Sequence, residues 1–218
     1  LSLAREAGLS VGDAGGLVVN DRLQTSDPAI FAAGDMVELE HRVSGKKVRL
    51  PLAGPANRQG RIAASNALGM DLRYNGAAGT SIVRVFDAVV GSTGLNLRAA
   101  RGLGIPADAV TIHKDQHVSY FPGAEPVSLH IVFNRETGSL LGAQVAGGDG
   151  VDKRLDVLAT AVMAGLTISD LAELDLAYAP PFGSANDPVN MAGFVAENRK
   201  SGFSPSVTDR KSTRLNSS

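Results

Sequence analysis

The second half of the chain alternates between apolar and polar residues. From Val127 to Phe133 the odd positions are all apolar, and Ser128 and His130 lie between them. This period of two is typical of a half-buried β-strand. The turn NRETG then leads into a second β-rich run at Ser139–Val145. The pattern predicts a hairpin, and the runs at 81–86 and 89–93 predict two further strands.

Helical spacing replaces the alternation after residue 150. Apolar residues stand at positions 155, 158, 159 and 162, which places them on one face of a helix over 152–165. Shorter helices are predicted at 96–102 and from Thr167. Strands followed by helices in this order predict an α+β domain with an antiparallel sheet.

The first part of the chain has a different pattern. Two short apolar runs, GLVVN at 16–20 and AIFAA at 29–33, predict buried strands joined by a turn-rich connector. A charged loop at 38–52 follows, and then a helix over 54–68 with small residues on one face. Gly69 stands where a helix-ending glycine belongs. These elements predict the edge of an α/β nucleotide-binding domain of the Rossmann-like kind.

The change of pattern near Tyr74 predicts a domain boundary. We expect an incomplete α/β lobe at 1–75, an α+β domain at 76–200, and a tail at 201–218 that is disordered or non-native. The tail ends in KSTRLNSS, which has no apolar periodicity. The chain opens at Leu1 without a methionine, and we expect it to be a fragment of a longer protein.

The composition of the chain argues against several classes of function. The 218 residues carry a net charge of −1 with both signs mixed, which gives no basis for binding nucleic acid. No apolar run approaches the roughly 20 residues that span a bilayer, and we expect a cytoplasmic protein without membrane contact. There is no cysteine, and the four histidines lack metal-ligand spacing, so no metal site is expected.

The segment TSDPAIFAAGD, residues 25–35, combines a predicted strand with Gly34 and Asp35. A glycine there lets the backbone approach a ligand closely, and the Asp35 carboxylate can accept hydrogen bonds from sugar or ribityl hydroxyls. The alternative is an ordinary turn after a strand.

The segment PLAGPANRQGRIAASNALG, residues 51–69, supplies a helix whose N-terminus follows Pro51, Leu52 and Ala53. The positive end of a helix stabilises negative charge on a bound group. The alternative is a plain surface helix.

Three C-terminal segments complete the distinctive sequence: YFPGA at 120–124, GAQVAGGDGVDKR at 142–154 and YAPPFGSANDPVNMAG at 178–193. With the two earlier segments they resemble the FAD-dependent pyridine nucleotide-disulfide oxidoreductases, in the branch of coenzyme A-disulfide reductases and NADH oxidases. The resemblance covers about residues 3–200. It implies that 1–75 is the remainder of an FAD-binding domain and that 76–200 is a dimerisation domain.

The resemblance also assigns residues to the cofactor. Gly34 and Asp35 correspond to the second FAD fingerprint of these flavoproteins, and Pro51, Leu52 and Ala53 would lie against the flavin. Phe182 would pack near the flavin ring. FAD is therefore the implied cofactor, and NAD(P)H is the implied co-substrate of the whole protein.

Tyr178 and Tyr120 are the implied catalytic residues. Related reductases carry a His-Pro near the C-terminus, whereas this chain has YAPPF and no histidine after His130. A tyrosine is protonated at neutral pH and can donate a hydrogen bond to a developing thiolate. The alternative for each is a core or interface position, and a structural role is expected for the nearby His117.

The charged start of the long helix leaves two interpretations open. Asp152, Lys153, Arg154 and Asp156 could bind coenzyme A phosphates, or they could form a solvated ion-pair turn, which is the preferred interpretation.

The resemblance implies a route for electrons from NAD(P)H through FAD and a single cysteine, outside this chain, to coenzyme A disulfide. One alternative is an NADH oxidase or peroxidase that reduces oxygen or peroxide. An alternative of another class is a non-catalytic dimerisation module. A homodimer is expected, with small-molecule substrates, and this fragment alone is expected to be inactive.

Overall fold

The computed structural model describes residues 1–204, which form two compact units. One unit comprises Leu1–Ser81 with Ser92–Leu95, and the other comprises Ile82–Gly91 with the chain from Asn96 onward. Most of the expected tail, residues 205–218, lies outside the described residues.

The first unit contains little regular structure apart from one long helix. Its elements are α1 (Ser2–Glu6), a 3₁₀ turn (Gly34–Met36), β1 (Leu39–Glu40), β2 (Lys47–Val48) and α2 (Ala53–Ala67). The strands β1 and β2 pair antiparallel inside the segment that the sequence predicted to be a loop. A small core joins the early apolar runs to α2: Leu17, Val19, Leu23, Ala32, Val37 and Ala63.

The two strands predicted at 16–20 and 29–33 are wrong as strands, although the runs do enter the core. Leu17 makes isolated bridges to Val11 and Val37, and Phe31 makes one to Gln24. Neighbouring residues bond to different segments, since Leu17 donates to Met36 while Val18 donates to Ser10. Because the partner changes from one residue to the next, no continuous ladder forms.

Helix α2 follows its prediction closely. It buries the side chains Pro55, Gln59, Ala63 and Asn66. Gly69, just beyond its end, has a φ of +91°, a left-handed conformation that suits glycine. An exposed charge cluster lies beyond this helix: Arg73 contacts Asp21 at 2.8 Å and Asp71 at 3.1 Å, and Arg22 also contacts Asp71.

The second unit is built on a five-stranded sheet in the order β3-β4-β7-β6-β5. Its elements are β3 (Ser81–Val85), β4 (Ala88–Gly94), α3 (Leu97–Gly102), β5 (Ala107–Asp115), β6 (Pro126–Asn134), β7 (Leu140–Gly147), α4 (Val151–Ala164), α5 (Ile168–Glu173) and α6 (Pro188–Ser201). Strand β6, which lies between β7 and the edge strand β5, pairs antiparallel with both of them. The predicted α+β domain with an antiparallel sheet is confirmed.

Helices cover one face of this sheet. Helix α4 packs on β7, and α6 packs on β5, on β6 and on α5. Val127, Leu129 and Ile131 on β6 are fully buried, as the alternation predicts. Helix α6 lies very close to α5, because a Cβ at Gly193 would come within 2.6 Å of the Ala172 backbone nitrogen. A glycine is required at that crossing.

Two predicted helices begin at residues that cap them. The Asn96 side chain accepts a hydrogen bond from the Ala99 N–H at 2.8 Å, and Thr167 forms a capping box with Asp170. Both caps satisfy N–H groups that would otherwise lack a partner at a helix start. Within the described part of the chain, no helix is long and apolar enough to cross a membrane.

Candidate functional site

The turn at Gly34 and Asp35 follows the buried residue Ala32 and leads into the 3₁₀ turn. Gly34 has a φ of +83°, and Asp35 is exposed. Within residues 1–204 no hydrogen bond reaches the Asp35 carboxylate, whereas its backbone carbonyl accepts from Arg49, 3.0 Å from Nη2. The carboxylate is therefore open to a ligand.

Gln59 holds this turn against α2. The Gly34 N–H donates to Oε1 of Gln59 over 2.7 Å, and the Gln59 side chain is only 1% exposed. A Cβ at Gly34 would lie 3.7 Å from the Ala56 Cβ. The two segments that the sequence singled out separately are thus neighbours in the first unit.

The start of α2 leaves its backbone donors open. Leu52 is the N-cap in extended conformation and makes no side-chain cap, and no acidic residue occupies the first turn. Pro51 and Ala53 are exposed on either side of it. A bare helix N-terminus carries a partial positive charge, which suits an anion or an electron-rich ring. Together with the open Asp35 carboxylate, these residues fit one edge of a flavin nucleotide.

The second unit carries an exposed aromatic cluster. Tyr120 is 75% exposed, Tyr178 is 47% exposed and Phe182 is 70% exposed. A hydrogen bond with the Tyr120 hydroxyl raises the pKa of the Tyr178 phenol above its ordinary value. The two predicted catalytic tyrosines are therefore close together although they lie 58 residues apart in the sequence, and both face solvent.

These rings stand on two loops, 116–125 and 177–187. The loops meet where the Val118 N–H donates to the Gly183 carbonyl at 3.0 Å. The backbone carbonyl of Phe182 accepts a hydrogen bond from Nζ of Lys153 at 3.1 Å. Both of these contacts use the backbone of the loop that bears Phe182.

His117 has a structural place in the first of these loops, as the sequence led us to expect. Its side chain is buried, its Nδ1 lies 3.0 Å from the Val118 carbonyl, and its ring meets Phe121 edge-on at 5.6 Å. These contacts shape the loop that carries Tyr120.

Arg154 corrects the preferred interpretation of the charged helix start. It is 1% exposed and forms an ion pair with Asp187, with Nη2 2.7 Å from Oδ2 and Nε 3.3 Å from Oδ1. Arg154 also donates to the carbonyls of Gln116 and Gly150. The expectation of a solvated ion-pair turn is wrong for this residue, because its side chain is buried and is paired with a buried carboxylate.

Gln59, Gln116 and Asp187 were not predicted from the sequence as part of either site, and Arg154 was considered only as a phosphate ligand or as part of an ion-pair turn. Only Asp187 carries a local signal, since an Asp followed by Pro188 is typical of a helix start. The others act through contacts that are distant in sequence. Contacts of this kind leave no pattern along the sequence.

Two segments of the chain match models of a known family. Residues 80–188 match the dimerisation domain of the pyridine nucleotide-disulphide oxidoreductases, and residues 1–60 match a second model of pyridine nucleotide-disulphide oxidoreductases. The chain belongs to this family. The resemblance drawn from its motifs is confirmed.

Individual relatives show which members of the family the chain resembles. The chain is 37% identical over 189 residues to the NAD(P)H coenzyme A polysulfide/persulfide reductase of Pyrococcus horikoshii, covering 87% of this chain and 42% of that protein. It is 32% identical over 194 residues to the coenzyme A disulfide reductase of Staphylococcus epidermidis, covering 88% and 44%. The crystal structure of reduced Bacillus anthracis CoADR-RHD superimposes with a TM-score of 0.93 at 45% identity, over 99% of this chain and 39% of that one. The chain thus spans about two fifths of the length of these relatives.

Proposed function

We propose that this chain is the C-terminal part of a flavoprotein that passes electrons from NAD(P)H through FAD and a redox cysteine, outside the chain, to coenzyme A disulfide. The observation that carries the proposal is the pair of exposed tyrosines, Tyr120 and Tyr178, on two loops that a backbone hydrogen bond joins, in a member of this family. A closely related acceptor is a coenzyme A persulfide, in line with the name of the Pyrococcus relative.

The residues of the first unit would hold one edge of the FAD. The Asp35 carboxylate would accept hydrogen bonds from ribityl or sugar hydroxyls, and the open N–H groups at the start of α2 would face the electron-rich end of the ring. Bound FAD would supply hydride and electron transfer between NAD(P)H and the thiol chemistry. Gly34 keeps the approach to this edge free of a side chain.

The tyrosines would act on the departing thiolate. Cleavage of a disulfide releases a sulfur anion, and a donor placed at the developing charge lowers the barrier. The raised pKa of Tyr178 keeps its proton in place across the neutral range. Pro180 and Pro181 restrict the loop that bears Tyr178, so little entropy is lost on binding.

We further propose that the active site forms in a homodimer. The aromatic cluster is too exposed to act as a core, and exposed tyrosines beside polar turns are typical of an interface. Tyr120, Tyr178 and Phe182 would then serve the flavin and cysteine of the partner subunit. The match to a dimerisation domain supports this arrangement.

The test is Tyr178→Phe in the full-length parent, because it removes the hydroxyl and keeps the ring. We expect reduction of the flavin by NAD(P)H to be unchanged in stopped-flow absorbance. Turnover with coenzyme A disulfide should fall, by less than the roughly 10² to 10³-fold seen when an oxyanion donor is lost, because a thiolate is a better leaving group.

Tyr74→Phe is the matched control, since Tyr74 belongs to the first unit and its hydroxyl has no partner within residues 1–204. Its turnover should equal that of the unmodified parent. Wild-type turnover with Tyr178→Phe would count against the proposal and favour an NADH oxidase, whose chemistry with oxygen depends less on this hydroxyl.

A further inference from the structure

The guanidinium of Arg154 lies at the junction of every segment that carries the aromatic cluster. It projects from the first turn of α4 and donates to Asp187, at the end of the 177–187 loop. It also donates to the carbonyl of Gln116, at the start of the 116–125 loop. One side chain therefore ties both tyrosine-bearing loops to one helix.

Asp187 also makes hydrogen bonds to several groups. Its Oδ1 accepts from the Val189 N–H at 3.0 Å and caps α6, while the Asp187 N–H donates to Oδ1 of Asn190 at 3.1 Å. The same carboxylate receives the two donors of Arg154. The ion pair thus fixes the direction in which the 177–187 loop enters α6.

Gln116 continues the connection into the other loop. Its Oε1 accepts from the Glu125 N–H at 2.7 Å, and its Nε2 donates to the Gly123 carbonyl at 3.1 Å. These bonds close the loop that bears Tyr120 at its base. Arg154 holds the backbone carbonyl of this same residue, so the chain of contacts runs without a gap from Asp187 to the Tyr120 loop.

We infer that Arg154 and Asp187 are positioning residues that set the placement of the Tyr178-bearing loop against the Tyr120-bearing loop, and with it the placement of the two tyrosines. The inference rests on the proposed function for the catalytic meaning of the tyrosines, although the positioning itself is a property of this chain. A bidentate guanidinium–carboxylate pair fixes direction as well as distance. A buried ion pair contributes little net stability compared with apolar residues, so its value here lies in geometry.

The test reads the tyrosines directly in the 218-residue chain. The chain contains only three tyrosines, so ring-labelled tyrosine gives three NMR signals, which Tyr→Phe variants assign. In the unmodified chain Tyr178 should titrate above the ordinary value. In the Tyr120→Phe variant, Tyr178 should titrate at the ordinary value. This variant therefore shows the titration that is expected when the contact with Tyr120 is lost.

Arg154→Lys keeps the positive charge but removes the guanidinium group that binds both carboxylate oxygens of Asp187. We expect the titration of Tyr178 in this variant to match that in Tyr120→Phe, while far-UV circular dichroism stays unchanged. The double variant Arg154→Met with Asp187→Asn removes both charges, retains an acceptor for the Val189 N–H, and keeps the fold free of an unpaired buried ion. It should show the same return of the Tyr178 titration.

Asp108→Asn is the control, because it breaks the 2.9 Å ion pair with Arg199 elsewhere in the same unit. It should leave the Tyr178 titration where it is. A folded double variant in which Tyr178 still titrates above the ordinary value would overturn the inference. That outcome is distinct from failure of the proposed function, which would show as unchanged turnover in the Tyr178→Phe parent.

Discussion

The buried amide of Gln59 accepts a hydrogen bond from the Gly34 N–H over 2.7 Å, and this bond joins the Gly34–Asp35 turn to α2. Nε2 of the same amide is buried with no partner within residues 1–204. The contact is therefore one-sided: the turn depends on Oε1, and the other end of the amide adds nothing.

Replacing Gln59 by Leu should lower the free energy of unfolding. An unsatisfied buried N–H costs about 1–3 kcal/mol, and removal of the unpaired Nε2 offsets part of that, so we expect a net loss of about 1 kcal/mol. Urea denaturation of the chain measures it. Arg61→Leu, at an exposed position on the same helix, should change stability by less than about 0.5 kcal/mol. Equal effects of the two variants would rule out the hydrogen bond as the cause.

Acid should destabilise the first unit through His41. Burial lowers the pKa of this imidazole, and its Nδ1 accepts a hydrogen bond from the Ser44 N–H at 3.3 Å. The unfolded chain therefore takes up the proton first, and stability falls as the pH drops below the ordinary histidine value of 6.5 towards the folded one.

His41→Gln should reduce the difference between the urea midpoints at about pH 7.5 and about pH 5.5. Some difference should persist, because burial also lowers the pKa of His130. His113→Gln, at an exposed position, serves as the comparison. A midpoint difference that His41→Gln leaves untouched would assign the acid sensitivity to other groups.

The chain should bind FAD poorly by itself. Gly34, Asp35 and the start of α2 supply one edge of a flavin site, whereas the sequence contains no GxGxxG turn to cradle the pyrophosphate. The purified chain should show no stoichiometric flavin band in its visible spectrum after incubation with FAD and gel filtration. A full band would mean that this edge suffices.

Sedimentation should show a dimer of the chain at tens of micromolar. Tyr120, Tyr178 and Phe182 are exposed on the unit that matches a dimerisation domain, and Phe194 of α6 is also partly exposed. Phe182→Ser should weaken association by removing an apolar ring from the cluster. A strict monomer for the unmodified chain would contradict the assembly proposed here.

The division of the chain at 75 and 76 stays a prediction. The two compact units intermix near the predicted boundary, since residues 92–95 group with the first and residues 82–91 with the second. Limited proteolysis tests it: preferential cleavage near Tyr74 would support independent domains.

Elements with a strong period or a cap could be predicted from the sequence. The run 127–133 lies in β6, an inner strand of the sheet, and Asn96 and Thr167 both start helices. Strand β5 was missed, because its outer face carries Thr111 and His113 and only a few apolar residues mark its inner face. Helix α6 was missed because it buries small residues and contains Gly193, which weakens a helical signal.

The candidate site residues also fall into two groups, those that the sequence predicts and those that it does not. The residues that would meet ligands stand in short motifs, and the structure groups Gly34 with α2 and Tyr120 with Tyr178. The residues that hold them are scattered: Arg154 and Asp187 lie 33 positions apart and read as ordinary surface charges. These two residues can hold the loops because they are buried. Whether a charged residue is buried depends on the tertiary structure and cannot be read from the local sequence.

Ionic strength should act unequally on the two units. The cluster of Arg22, Arg73, Asp21 and Asp71 is solvent-exposed, and at about 1 M salt the screening length shrinks to about 3 Å, close to the separation of its charges. The pair of Arg154 and Asp187 excludes solvent and counter-ions alike. Salt therefore loosens the connection between the end of α2 and the early turns of the first unit while the tyrosine-bearing loops keep their arrangement, which gives an experimenter a means of perturbing one unit without the other.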